Sequence, residues 1–336
     1  MPITATRRQF LNAVSLASAG ALIRVPQVLA AEEALETTAV RLLKFPGICI
    51  APQYAAEQLL RAEGFTDVRY VDWEPNLSLS VKVGRGDADF SLDFAGQSIQ
   101  AIDSGAAITI LGGVHVGCYE LFAKDEIRSV GDLKNRTIGI RTGGANPHVY
   151  LTAMAAHIGV DPTHDIRWVT SADGPNPFNL FINGEIDAYL AIPPEPQELR
   201  ARGIRHVVLN SIVDRPWSQY FCCMLAGNRE FVLANTIATK RVLRAIVKAA
   251  DLCVSQPALI ARQIVDHGFA DNYDFALQSL GTIPYDKWRE YDPEDTVRFY
   301  ALRLHEVGFI KSTPQKIIAN GTDWRFLDEV KRELKA

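Results

Sequence analysis

Two short stretches built to the same plan constrain this chain more than any other feature. Gly86-Asp87-Ala88-Asp89-Phe90-Ser91-Leu92 and Gly184-Glu185-Ile186-Asp187-Ala188-Tyr189-Leu190 each read as a helix end, a glycine, an acid, an apolar residue, an aspartate and then a strand. Each lies at the same place in a run of short alternating strands and helices, so the economical reading is an α/β protein of two similar halves. In the first half, the pattern predicts strands over residues 38–43, 68–73, 89–92 and 107–111 and helices over 53–63, 77–83 and 97–103. In the second, it predicts strands over 137–141, 166–170, 186–192 and 206–209 and helices over 148–158, 177–182 and 196–201. From residue 229 onward only helical periodicity is read, over 229–256, 258–267, 273–280, 293–307 and 314–319.

Two aromatic, sulfur-bearing stretches join the halves. The outgoing one is Gly112-Gly113-Val114-His115-Val116-Gly117-Cys118-Tyr119-Glu120-Leu121-Phe122-Ala123, in which the strand before it is expected to end at the glycine pair. The returning one is Gln219-Tyr220-Phe221-Cys222-Cys223-Met224-Leu225-Ala226, which delivers the helical tail to the first lobe. The expected domains are therefore residues 37–122 plus 221–336 for lobe 1 and 123–220 for lobe 2, with a cleft between them.

Composition narrows the function classes. At 22% charged residues and a net charge of −4, with no Lys/Arg block, nothing marks a nucleic-acid surface. Thr6-Arg7-Arg8-Gln9-Phe10-Leu11, the mild apolar stretch from Ala13 to Ile23 and the small-residue site Val28-Leu29-Ala30 read as a twin-arginine export signal over residues 1–30. Cleavage after Ala30 would remove three arginines and no acid, leaving a net charge of −7. No cysteine stands at that site to carry a lipid, and the apolar stretch is too short to span a bilayer. The expected location is the periplasm.

The five cysteines, Cys49, Cys118, Cys222, Cys223 and Cys253, are odd in number and irregular in spacing, which excludes a disulfide framework. His115 with Cys118, Cys222 and Cys223 forms a soft-metal constellation, but no CxxC or HxxxH spacing supports it. Vicinal cysteines on a regular strand also point to opposite faces, so no metal and no cofactor is expected.

Taken together, Gly86-Asp87-Ala88-Asp89, Tyr119 to Ala123, Asp132-Leu133-Lys134-Asn135-Arg136-Thr137-Ile138-Gly139-Ile140, Gly184 to Asp187 and Tyr220 to Ala226 resemble a known family. It is the periplasmic solute-binding proteins of the sulfonate, nitrate, taurine and thiamine-pyrimidine-precursor superfamily. The resemblance covers essentially the whole chain after residue 30. It implies a type II periplasmic-binding-protein fold of two α/β lobes that close by hinge motion on a solute bound at strand ends, with the helical tail packed on the first lobe. It further implies a monomer that hands a small solute to an ABC-type membrane permease, with no catalysis.

Within that frame, Arg141-Thr142-Gly143-Gly144 is the sharpest candidate: a strand ends, glycines free the backbone and a helix begins, which makes an anion site or an ordinary βα turn. Gly47, Ile48 and Cys49 lie in the loop after the first strand and should face the cleft. Trp73 is placed to stack on a flat ligand or to cap the core, and Asp93, followed by Phe94, to bind a ligand amine or cap the next helix. His115 and Cys118 flank Gly117 at the crossing, Glu195 stands at the rim of the second lobe, and Tyr220 precedes the returning strand as an aromatic wall. The glycine loop favours an anion and the two acids an amine, so a zwitterion or amine-bearing ring reconciles them. Two rivals use the same scaffold. One is an enzyme with Cys49 as nucleophile, resembling the aromatic sulfinate desulfinases; the other is a ligand-binding partner of a periplasmic sensor.

Overall fold

The computed structural model describes residues 33–335 except 75–76, 141–145 and 171–174, and Leu35–Ala336 forms one compact unit. The export-signal reading of residues 1–30 lies outside the described residues. Among the described residues, ten strands form two five-stranded sheets. They are β1 (Ala39–Lys44), β2 (Asp67–Asp72), β3 (Phe90–Phe94), β4 (Ile108–Val116), β5 (Glu120–Ala123), β6 (Arg136–Gly139), β7 (Ile166–Val169), β8 (Ala188–Ala191), β9 (Val207–Asn210) and β10 (Phe221–Asn228).

The first sheet has the order β2-β1-β3-β10-β4 and the second β7-β6-β8-β5-β9. Four strands of each sheet run parallel, and the fifth, β10 or β5, runs antiparallel to both neighbours. The antiparallel strand of each sheet is the one that arrives across the junction, so each half is completed by a strand reached through a crossing segment.

The repeated motif explains the match. Gly86 and Gly184 adopt φ of 80° and 75°, which stops the preceding helix in the left-handed region that glycine enters without steric cost. Asp89 then accepts the Arg41 backbone N–H at 2.7 Å, and Asp187 accepts that of Thr137 at 2.8 Å. Each also carries a cation: Arg41 at 2.6 Å in the first case and Lys124 at 3.0 Å in the second. One aspartate per half thus fixes the register of the third strand against the first.

The helices of the first half are α1 (Ala51–Ala55), α2 (Glu57–Ala62), α3 (Leu79–Gly84) and α4 (Ala95–Asp103). The second half has α5 (Asn146–His157), α6 (Pro177–Ile182) and α7 (Glu195–Ala201). The tail comprises α8 (Arg229–Ala234), α9 (Thr236–Ser255), α10 (Pro257–Asp266), α11 (Tyr273–Leu280), α12 (Pro293–Glu306), α13 (Pro314–Gly321) and α14 (Arg325–Glu333). As expected, the tail packs on the first half: α9 lies on α1, α2 and α14, and α12 on α4 and α13. Helix α12 also meets α5 of the second half. Arg241 donates to the Glu63 carbonyl at 2.7 Å and Arg244 pairs with the Glu63 carboxylate, which ties α9 to the end of α2.

Three sequence expectations need correction. The strand read as ending at Gly112-Gly113 continues to Val116, buried throughout. The glycines are there because neighbours fill the space a side chain would take: a methyl group at Gly113 would stand 2.3 Å from the Phe221 ring. The boundary of the first lobe at residue 122 also lies too late, since β5 already belongs to the second sheet and the chain crosses at residues 117–119. The helix read over 229–256 is two helices, because Asn228 caps α8 and Asn235 leaves helical geometry. Glu36 accepts the Ile237 and Ala238 N–H groups at the start of α9, a cap supplied from 200 residues away in sequence.

Crossing in three residues places Gly117 at φ +56°, with its open side 2.4 Å from the Ser211 carbonyl as a methyl group would meet it. Ser211 laces the outgoing and returning segments: its hydroxyl oxygen accepts the Cys118 and Tyr119 N–H groups at 3.0 and 2.8 Å and donates to the Tyr119 carbonyl at 2.8 Å. Gly117→Ala should therefore cost upward of about 3 kcal/mol, combining left-handed strain with a backbone collision. Gly159→Ala, at φ +77° with open space around it, should cost only about 1 kcal/mol. Urea unfolding of the two variants checks this; equal costs would show that the crossing is not sterically fixed.

Candidate functional site

The junction between the two halves is lined by side chains that the strand ends deliver. Phe94, at the end of β3, packs edge-on against Tyr119, Tyr150 and Tyr300 at centroid distances of 5.6, 5.3 and 5.1 Å. Tyr119 stacks on Tyr150 of α5 at 4.3 Å. Asp93, fully buried, accepts the Ser80 N–H at 3.0 Å and the Ser80 hydroxyl at 2.7 Å on one oxygen. Its other oxygen accepts the Phe94 N–H at 2.8 Å and the Asn146 amide at 3.0 Å. A carboxylate offers about four lone-pair sites, so Asp93 is saturated within the protein. It does not cap α4, whose first residue follows it closely; it holds the first turn of α3 and reaches α5 in the second half.

Glu195 is likewise engaged internally. It accepts from the Tyr189 hydroxyl at 2.9 Å and the Ile192 N–H at 3.0 Å as α7 begins. Trp73 packs edge-on against Phe45 at 5.1 Å and donates its indole N–H to the Leu77 carbonyl at 3.2 Å, at the edge of a satellite core. Tyr220 stacks on Phe299 of α12 at 4.0 Å. Gly47 precedes a short 3-10 turn, Ile48–Ile50, whose residues are buried, with Cys49 7% exposed. Arg141, Thr142, Gly143 and Gly144 lie outside the described residues.

The sequence candidates that the fold brings together most tightly are the sulfur-bearing ones. His115 of β4 and Cys222 and Cys223 of β10 place one ring nitrogen and two sulfurs within 4.8 Å of one another. The Cys118 and Cys222 sulfurs are 2.9 Å apart. The Cys49 thiol interacts with the Cys118 and Cys223 thiols and with the His115 ring. The expectation that adjacent cysteines diverge is corrected here. Cys222 is an extra residue in β10: Phe221 pairs with Val116 and Cys223 with His115, with a register shift between them. A β-bulge of this kind breaks the side-to-side alternation of the strand and lets neighbouring side chains converge.

The electrostatics of the cluster follow from its geometry. His115 is fully buried and places Nδ1 3.1 Å from the Gly117 carbonyl, so Nδ1 carries a proton and donates it to that carbonyl. Nε2 is buried without a hydrogen-bond partner among the described residues. Interaction with the Cys118 and Cys223 thiols holds the Cys49 thiol well below its ordinary range. Burial acts to raise Cys222, but its Cys118 and Cys223 neighbours bring it to about 5. Burial drives Cys118 well above the usual thiol range, and the Cys222 contact does the same for Cys223. Tyr285 braces the group: its ring meets the His115 ring edge-on at 5.1 Å, and its hydroxyl donates to the Ile48 carbonyl at 2.9 Å.

Burial outweighs the four hydrogen bonds to Asp93 and holds its carboxyl above the ordinary value. Its protonated form is thus favoured by folding, and that stability is present below about pH 4 and lost as pH rises through the raised folded value. The stability of the wild type relative to Asp93→Asn, which does not titrate, should fall across that window in urea unfolding. A difference independent of pH would show that Asp93 titrates normally.

A family model described as NMT1/THI5 like matches residues 50–260. No curated protein matches the chain. Among solved structures, the periplasmic nitrate-binding protein NrtA from Synechocystis PCC 6803 is similar at 13% identity and a TM-score of 0.71, over 90% of this chain and 90% of that one. The periplasmic aliphatic sulphonate binding protein SsuA from Escherichia coli is similar at 18% identity and a TM-score of 0.63, over 82% and 89%. The desulfurization enzyme DszB is similar at 12% identity and a TM-score of 0.60, over 88% and 99%. With its paired α/β sheets, crossing strands and helical tail, the chain belongs to the NMT1/THI5-like family and has the two-lobed periplasmic-binding-protein fold.

Proposed function

We propose that this protein is an extracytoplasmic solute-binding protein that captures a small polar solute between its two halves and delivers it to an ABC-type importer. The observation that carries the reading is the junction itself. Two sheets of matching topology are joined by laced crossing segments, and the facing surfaces meet through Asp93–Asn146 and Phe94–Tyr150, side chains that a rotation about the crossing would separate. Solutes bind in this architecture by favouring the closed arrangement over the open one. Periplasmic location through the twin-arginine signal and action as a monomer belong to the same proposal, as does solute contact by Arg141-Thr142-Gly143-Gly144. The proteins of similar fold include a nitrate binder and an aliphatic-sulphonate binder. Because Asp93 and Glu195 are engaged internally, the reading favours a sulfonate, another small anion or a neutral heterocycle over an amine.

A second reading keeps the same fold but makes Cys49 a nucleophile. It is supported by the depressed thiol range of Cys49, its contact with the His115 ring and the likeness to a desulfurization enzyme. Against it stands the burial of Cys49.

Native mass spectrometry of protein purified from the exporting host, followed by a thermal-shift panel of sulfonates, pyrimidines, nitrate and amino acids, tests the first reading. The expected result is a retained adduct, or a rise in Tm of roughly 5 °C for one class at about 100-fold excess over Kd. Cys49→Ser should then retain the shift. No adduct and no shift with any class would overturn the proposal, and turnover abolished by Cys49→Ser would establish the enzyme in its place.

A further inference from the structure

The second reading leaves most of the sulfur cluster unexplained, and solute capture in the cleft does not call for it. Four of the five cysteines and one histidine come from the turn after β1, from β4, from the outgoing crossing and from β10, four segments far apart in sequence, and meet in one buried volume. Cys253 is the internal contrast. It is equally buried in α9 but has no thiol partner among the described residues, and burial, reinforced by the Asp251 carboxylate, pushes it up, as for a thiol packed as a small apolar group.

We propose that His115, Cys222 and Cys223, with Cys49 completing the set, bind one thiophilic d10 metal ion, Zn(II) or Cu(I), within the first half of the molecule. Three observations carry this. The donor set contains sulfur and imidazole and no carboxylate, which selects soft or borderline ions and rejects Mg(II) and Ca(II). The ligand atoms of the first three residues already lie within 4.8 Å of one another, against a tetrahedral edge of roughly 3.5 Å in a Zn–S/N site, so a contraction of about 1 Å assembles it. The histidine is also prepared for ligation. Its Nδ1–H is committed to the Gly117 carbonyl, which fixes the tautomer and orients a buried, unpartnered Nε2.

The supporting shell is equally specific. The bulge at Cys222 turns two successive thiols inward, and the Tyr285 hydroxyl holds the backbone carbonyls of Ile48 and Cys49 at 2.9 and 3.3 Å. On binding, each thiol ligand gives up its proton to solvent as the metal–sulfur bond forms. Three thiolates leave one net negative charge around Zn(II) and two around Cu(I) in a dry site, which makes Zn(II) the better match in charge and Cu(I) the better match in softness. Cys118, 2.9 Å from Cys222, is the neighbouring donor.

The test uses the full chain, stripped of metal and reduced with a phosphine under anaerobic conditions. One arm titrates Zn(II) against a chromophoric chelator and a second titrates Cu(I) against bathocuproine disulfonate; the arm with the tighter competition names the ion. One equivalent should be taken up, with affinity reduced at least 100-fold in Cys222→Ser/Cys223→Ser and unchanged in Cys253→Ala. No uptake of either ion by the reduced wild type, or equal affinity in the double variant, would overturn the proposal. Should the double variant fail to fold, X-ray absorption on the loaded wild type decides. A shell with nitrogen and at least two sulfurs at roughly 2.3 Å is expected, and an oxygen–nitrogen shell without sulfur refutes it. The proposal does not rest on solute capture: running the solute panel on metal-free and metal-loaded protein reads the two independently.

Discussion

The close approach of Gly117 to Ser211 is the constraint on which the arrangement of the two sheets depends. Strand β4 ends the first sheet and β5 enters the second with only residues 117–119 between them. A crossing that short forces a left-handed residue against the opposite backbone, which glycine alone accommodates without strain. Ser211 then satisfies the backbone donors that the turn would leave stranded in a buried place. Both antiparallel strands that complete the sheets, β5 and β10, follow from this arrangement, and so do the sites that flank it.

The same crossing explains why chemistry concentrates where it does. Phe94, Tyr119, Tyr150 and Tyr300 close the junction with edge-on and stacked aromatic contacts, while Asp93 bridges it with an ordered amide. Immediately beside them, Gly117 lends its carbonyl to His115, and the bulge in β10 presents two thiols to the same ring. The soft donor cluster and the inter-half surface share a single piece of backbone. The family model and the structures of similar fold account for the architecture.

Much of the fold is legible in the sequence because its signals are local. The Gly–Asp repeat announces two halves, and the helices over 177–182 and 273–280 begin and end where their caps are written: Asn176 accepts from Phe178 and Asn272 from Phe275. Where the signal is tertiary, the reading fails. Gly112-Gly113 looks like a strand end but is a strand interior packed under Phe221, Leu243 and Leu327. The start of α9 depends on Glu36, and α14, Arg325–Glu333, is absent from the sequence reading despite a strongly amphipathic pattern. The sequence names the sulfur constellation but argues against its convergence for the same reason. Strand alternation separates Cys222 from Cys223, and only the register with β4 reveals the extra residue that unites them. Four of five cysteines beside strand ends and crossings was the available clue.

Burial of the cluster also fixes a timescale. With His115 fully enclosed and Cys49, Cys118, Cys222 and Cys223 at most 7% exposed, nothing in solution reaches the sulfurs without local opening of the protein. Access is therefore a kinetic property of the crossing segments rather than of the thiols. An alkylating reagent, an oxidant or an exchanging ion must wait for the same opening event, and their rates converge on one limit at high reagent concentration. The junction that sets the geometry of the molecule thereby also acts as the clock for its most reactive atoms.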